Sequence, residues 1–146
     1  MILVSACLAG EACRMDGQSK GIEAIRKLVE EGKAVTVCPE VLGGLSIPRD
    51  PAERVGERII TCKGRDVTEA YQKGAEKSLE IFLREGCEYA VLKSRSPSCG
   101  LGLIHNGRFD GGMTEGNGVF VSLLQEKGIR VMDEHMFLEE MRRETK

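Results

Sequence analysis

The chain has 146 residues, a length that suits one hydrophobic core and is short for two. With 41% hydrophobic and 30% charged residues the composition is that of a soluble globular protein, and a formal net charge of -2 excludes the basic surplus that recruits nucleic acid globally. No apolar run approaches the roughly 20 residues of a membrane span, and the opening residues lack the basic start and long apolar stretch of a secretory signal. The expected organisation is therefore one domain over residues 1–146, in the cytoplasm.

The elements are read in chain order. Ile2 to Ser5 is a short apolar run that reads as a buried strand, with Cys7 just past its end. Ile22, Ile25, Leu28 and Val29 follow at helical spacing, and Glu31-Gly32 stops that helix before a second strand, Ala34 to Val37, with Cys38 at its end. Residues 39–65 are irregular, with a hairpin expected around Ile59 and Gly64. Asp66 and Glu69 resemble the start of a capping box, opening a longer helix striped by Val67, Tyr71, Ala75, Leu79 and Phe82. Glu85-Gly86 ends this helix before a third strand, Tyr89 to Leu92, and Cys99 lies in the loop beyond. Residues 94–116 are again irregular, and Asn106-Gly107 signals a hairpin turn. A helix over residues 118–127, the Lys127-Gly128 stop, a strand over residues 129–132 and a helix over residues 133–143 complete the chain. In the last helix Phe137, Leu138 and Met141 are expected to face inward.

Alternating strands and helices predict an α/β fold, three-layered and Rossmann-like or flavodoxin-like. Its mostly parallel sheet has about four strands with helices on both faces, and two long loops each contain a hairpin. Right-handed crossovers bring the loops after parallel strands to one edge, where such sheets bind ligands. Cys7, Cys38 and Cys99 then meet there, a proposal for a three-thiolate metal site. Thiolates suit zinc, copper(I) and iron-sulfur clusters. The long spacing between these cysteines disfavours a zinc ribbon or finger, which uses close pairs. A fourth protein ligand would have to be Cys13 or His105, and spacing excludes neither. Cys62 and Cys87 read as small buried hydrophobes. The glycine pairs Gly43-Gly44 and Gly111-Gly112 form no dinucleotide fingerprint, and Gly116-x-Gly118 before a helix offers a weak anion seat. His105 and His135 read as structural or solvated.

Several segments carry a resemblance. Val4-Ser5-Ala6-Cys7-Leu8-Ala9-Gly10, Cys13-Arg14-Met15-Asp16-Gly17, Val37-Cys38-Pro39-Glu40, Gly43-Gly44-Leu45-Ser46-Ile47-Pro48-Arg49, Gly64-Arg65-Asp66-Val67-Thr68, Leu92-Lys93-Ser94-Arg95-Ser96-Pro97-Ser98-Cys99-Gly100 and Gly116-Asn117-Gly118-Val119 together resemble the 2-thiouracil desulfurase family. They span nearly the whole chain in matching order. The resemblance implies a [4Fe-4S] cluster held by Cys7, Cys38 and Cys99, with one iron left open. It implies an enzyme that removes sulfur from the thiocarbonyl of a thiolated nucleobase by non-redox hydrolysis, sulfur leaving on the open iron. The implied partners are a small thiolated base or nucleoside and the cluster-assembly machinery; nucleic acid is disfavoured, with thiolated RNA kept open.

Within that chemistry Glu40, two residues past a ligand cysteine, is the first candidate for proton transfer, and Asp16 the second. Ser96 is a further catalytic candidate. Ser98, Lys93 and Arg49 are candidates for substrate binding, set against turn satisfaction for the serines and ordinary ion pairing for the cations. Two other functions stay open: a zinc-bound structural or interaction module using Cys13, and a thiol-based sulfur carrier or transferase.

Overall fold

The computed structural model describes residues 1–11 and 21–144, so the expectations placed on Cys13 and Asp16 lie outside the described residues. In chain order its elements are β1 (Ile2–Ser5), a 3-10 turn (Ala6–Ala9), α1 (Glu23–Glu30), β2 (Ala34–Val37), α2 (Pro39–Leu42), β3 (Ala52–Val55) and β4 (Arg58–Thr61). There follow α3 (Thr68–Arg84), β5 (Tyr89–Leu92), β6 (Leu103–His105), β7 (Met113–Glu115), α4 (Val119–Glu126), β8 (Arg130–Asp133) and α5 (Glu134–Glu144).

β1, β2, β5 and β8 form one sheet in the order β2-β1-β5-β8, with every pair parallel. The central strands β1 and β5 are covered on both faces, which explains why they read as continuous apolar runs rather than alternating ones. Alternation within each strand divides the core. Leu3, Ala90 and Leu92 pack on one face with Ala75 and Phe82 of α3 and Phe120, Val121 and Leu124 of α4. Ile2, Val4, Val91 and Met132 pack on the other with Ile25 of α1 and Phe137 of α5. The expected three-layer α/β architecture is the observed one.

Two antiparallel hairpins, β3-β4 and β6-β7, stand apart from the main sheet. The first is displaced from its expected place: its turn is at Gly56-Glu57, Ile59 lies in its second strand, and Gly64 belongs to a later turn closed by the Gly64 N–H on Thr61 O at 2.9 Å. Cys62 follows that second strand and is exposed, correcting its reading as a buried hydrophobe. The second hairpin spans a longer loop than the Asn106-Gly107 signal suggested, its last pair being His105 and Met113. In α5 the buried positions Glu134 and Phe137 define a narrow stripe, and Leu138 is 37% exposed at its border, not inward as expected.

Two features position the site. The 39–42 segment, read as loop, is a helical turn begun by Pro39 at its first position. It packs backbone against backbone on α3: a Cβ added at Gly74 would lie 1.7 Å from Pro39 O, and one added at Gly43 would lie 2.0 Å from Ala70 O. Only glycine permits that approach, which seats the residues following Cys38. At the opposite, amino edge of the sheet, Gly32, Gly86 and Gly128 end α1, α3 and α4 with φ of +72°, +65° and +71°, and a Cβ added at any of them meets nothing within 4 Å. These are the three helix stops read from the sequence.

Candidate active site

In the strand order, the chain leaves β1 to one side for β2 and crosses to the other side for β5. That reversal opens a crevice at the carboxyl edge. Cys7, Cys38 and Cys99 line one cavity there, of about 460 Å3. Cys7 sits in the 3-10 turn directly after β1, and Cys38 directly follows β2 as the residue capping α2. Cys99 lies in the loop after β5. Because Ser5 is in register with Val37, β1 and β2 end level, with Cys7 two residues and Cys38 one residue past those ends.

The Cys99 turn is built by its serines. Ser96 Oγ accepts the N–H groups of Ser98 and Cys99, each at 3.1 Å, and Ser96 O accepts that of Gly100 at 2.8 Å. The turn docks on the start of α4, where Val119 N–H donates to Pro97 O and Phe120 N–H to Ser98 O, both at 2.9 Å. A Cβ at Gly118 would lie 2.4 Å from the Ser98 carbonyl carbon, so the glycine serves close packing. The amides at this helix start are thus taken by protein carbonyls, and the anion-seat reading of Gly116-x-Gly118 does not hold. Arg95 enters this loop with φ of +66°, a left-handed conformation uncommon for a non-glycine residue, and pairs in a bridge with Ile104.

The sequence candidates divide by position. Glu40 lines the cavity, with Tyr71 donating to its Oε1 at 2.5 Å and Arg49 Nη2 lying 3.2 Å from its Oε2. Burial first, then the adjacent Glu40 charge, pushes the Tyr71 phenol far above its ordinary value, so it remains a donor. Arg49 lines a neighbouring cavity that shares Asp50 and Ala52 with the first, and its guanidinium holds Glu40 from behind. Ser96 and Lys93 line the thiol cavity; Ser98 is 1% exposed, is not part of that wall, and directs its hydroxyl to Cys99 Sγ at 3.6 Å while lying 2.9 Å from Ser96 Oγ. Wall residues the sequence reading passed over are Asp50, Glu53 and Arg95, with His105, which it set aside.

Lys93 is held rather than free. Its ammonium lies 3.2 Å from Glu134 Oε2, and the Ser94 N–H donates to Glu134 Oε1 at 2.8 Å. Burial works against the Glu134 charge, but the Ser94 amide, the residue's own N–H and Lys93 outweigh it, and its carboxyl stays below the ordinary 4.5. A depressed folded-state value makes this carboxylate stabilising above the unfolded value and progressively less so as pH falls below it. Glu134→Gln is accordingly expected to lose about 1–3 kcal/mol at pH 7 by leaving Lys93 poorly paired. Below pH 4.5 its stability curve should converge with that of the parent; urea midpoints measured across pH check this, and a constant gap down to strong acid would refute it.

The thiols define what the cavity can hold. Burial pushes the Cys99 thiol up to about 12, opposed by hydrogen bonds from Ser5 and Ser98 and reinforced by Glu40 and Cys38. A neutral buried thiol is a poor nucleophile, and a cation must replace its proton before it ligates. Three soft donors at separate strand ends suit a polynuclear cluster, which receives each thiolate on a different iron. Among the described residues no three His, Cys, Asp or Glu side chains converge as one ion would require. The donors present therefore fit a cubane with three protein ligands better than a single tetrahedral zinc.

A parallel α/β sheet with three cysteines lining the crevice at its strand-order reversal is the fold and site to be compared with known proteins. The chain belongs to the 2-thiouracil desulfurase family, which matches it over residues 2–136. It is 47% identical over 145 residues to the uncharacterized protein YbbK of Bacillus subtilis (strain 168), covering 92% of this chain and 96% of that one. Among solved structures it is similar to the [4Fe-4S]-dependent thiouracil desulfidase TudS, with a TM-score of 0.90 and 49% identity over 94% of this chain and 93% of that one. No described helix is long and apolar enough to cross a membrane.

Proposed function

We propose that this desulfurase hydrolyses the thiocarbonyl of a small thiolated nucleobase or nucleoside, using a [4Fe-4S] cluster held by Cys7, Cys38 and Cys99. The observation that carries the reading is the meeting of these three thiols with Glu40 in one cavity at the carboxyl edge. When bound, the cluster supplies an open iron as a Lewis acid for the departing sulfur. The net reaction is C=S plus water giving C=O plus hydrogen sulfide, with no redox change. Glu40, fixed by Tyr71 and Arg49 on its two oxygens, orients the attacking water and accepts its proton. Ser96, aligned by two amides, holds the substrate against the thiol wall. The hydroxyl of Ser98 supports the Cys99 sulfur from behind. Lys93, braced on Glu134, gives the cavity positive charge for a ring anion.

The family match and the likeness to TudS support this reading, in which cytoplasmic cluster-assembly machinery supplies the cluster. Anaerobic reconstitution, metal and sulfide analysis, and incubation with 2-thiouracil test it. The expected outcome is about four irons and four sulfides per chain and release of uracil with equimolar sulfide. Zinc binding without iron, or a cluster-loaded protein that releases no sulfide from thiolated bases or nucleosides, would overturn it.

A further inference from the structure

The wall facing the thiols contains a polar side chain that the proposed chemistry leaves unused. His105 ends β6 and lines the cavity, and its Nδ1 is buried with no hydrogen-bond partner among the described residues. Its neighbours on the wall are differently placed: Glu40 is engaged by Tyr71 and Arg49, Lys93 by Glu134, and Ser96 by two amides. Native proteins pair almost all buried polar atoms, so an imidazole that lines a cavity and has a nitrogen unpaired by any described residue keeps hydrogen-bonding capacity in reserve.

The segment that carries the ring is also held with care. Glu53, on β3 and only 8% exposed, accepts the Gly107 N–H at 2.9 Å and the Phe109 N–H at 3.3 Å through one carboxylate oxygen. Those amides belong to the turn that immediately follows His105. Gly107 packs so closely on β3 that an added Cβ would lie 2.8 Å from Arg54 O. On the other side, the Arg95-Ile104 bridge ties β6 to the loop that carries Cys99. The backbone that carries His105 is thereby fixed on both sides.

We infer that His105 is a specificity residue that hydrogen-bonds the carbonyl on the heterocycle edge away from the thiocarbonyl, and that Glu53 is its positioning residue. This rests on the desulfurase reading and extends it to the substrate's second polar group. The favoured substrate class is a thiolated heterocycle bearing a ring carbonyl, as against one whose ring carries sulfur alone. A ring nitrogen that hydrogen-bonds the carbonyl discriminates more sharply than apolar contact does.

The test crosses the side chain with the substrate group. Cluster-loaded wild type, His105→Phe and Glu53→Ala are assayed with 2-thiouracil and with 2-thiopyrimidine, which lacks the second carbonyl; Glu53→Gln serves as the conservative control. His105→Phe should lower kcat/KM for 2-thiouracil by about 10- to 100-fold, chiefly through KM, and leave that for 2-thiopyrimidine within about twofold. Glu53→Ala should follow it, with partial rescue in Glu53→Gln. Iron and sulfide content should match the wild type in all three variants.

Equilibrium binding of uracil and of 2-pyrimidinone provides a readout without turnover: only uracil should bind more weakly to His105→Phe. Equal losses for both members of a pair, or unchanged uracil binding, would overturn the assignment. Failure of the wild type to release sulfide, with uracil binding still dependent on His105, would instead sink the desulfurase reading and leave the recognition role standing.

Discussion

Replacing any one of Cys7, Cys38 or Cys99 with serine is expected to remove the iron and the activity together. Each thiol comes from a different strand end, and no two of them are adjacent in sequence, so none can substitute for a missing neighbour. A cluster held by three protein ligands loses its anchoring when one is withdrawn, and the effect of a second replacement should not add to the first. Activity should fall by at least about three orders of magnitude in each single variant, the scale on which removing a reacting centre acts. The controls are Cys62→Ser and Cys87→Ser, the former exposed beyond β4 and the latter at the amino edge before β5; both should retain iron and turnover. Urea unfolding of the metal-free variants separates loss of ligand from loss of fold. If two of the three thiols proved dispensable, a single reactive cysteine acting as sulfur carrier would be the better account. Loss of metal in Cys13→Ser as well would point to a fourth thiol and to zinc.

The second large effect concerns Glu40. Its carboxylate is set between a buried phenol that donates to one oxygen and a guanidinium beside the other, with both partners shielded from water. Glu40→Gln retains the size and one hydrogen-bond acceptor but removes the base, and general-base contributions amount to about 10²- to 10⁴-fold. A fall of that size in kcat, with iron content and visible absorption unchanged, is expected. Tyr71→Phe should show a smaller loss, because it removes an orienting contact and leaves the carboxylate in place. Turnover at the wild-type rate in Glu40→Gln would mean that the residue serves only to hold Arg49.

The strands and their stops were legible because local physics writes them locally. A strand buried on both faces needs an uninterrupted apolar run, and a helix ending in a left-handed residue needs glycine. The first rule recovers the central strands β1 and β5, and the second recovers the junctions at Gly32, Gly86 and Gly128, which in turn locate the edge strands β2 and β8. Placing Cys7, Cys38 and Cys99 in one cavity then follows from parallel topology. The hairpins were harder to locate, since Ala52–Val55 mixes charged with apolar residues and is covered on one side only by a small cluster of Ile59, Val67 and Tyr71. Pro39 looked like a loop residue until its place at the first position of a helical turn was seen.

The companions of the candidate residues were hidden for a different reason. Tyr71 belongs to the apolar stripe of α3, and nothing in that periodicity indicates a hydroxyl aimed at Glu40, 31 residues away. Glu53 and Gly107 meet across 54 residues. Lys93 reads from its neighbours as a substrate contact or as half of an ordinary ion pair, and nothing nearby names Glu134, distant in sequence and opening α5, as the partner that braces it. Such contacts arise from tertiary packing, and a single sequence carries no period or spacing that encodes them.

The arrangement at the amino edge has a practical side. The turns at Gly32, Gly86 and Gly128 leave open space around their α-carbons and lie across the sheet from the thiol cavity. Peptide tags, surface attachment points or electrode linkers inserted beside these turns would leave substrate access unobstructed. The molecule thus has a natural handle at one end and its cavity at the other, a useful polarity for immobilising the enzyme in a fixed orientation.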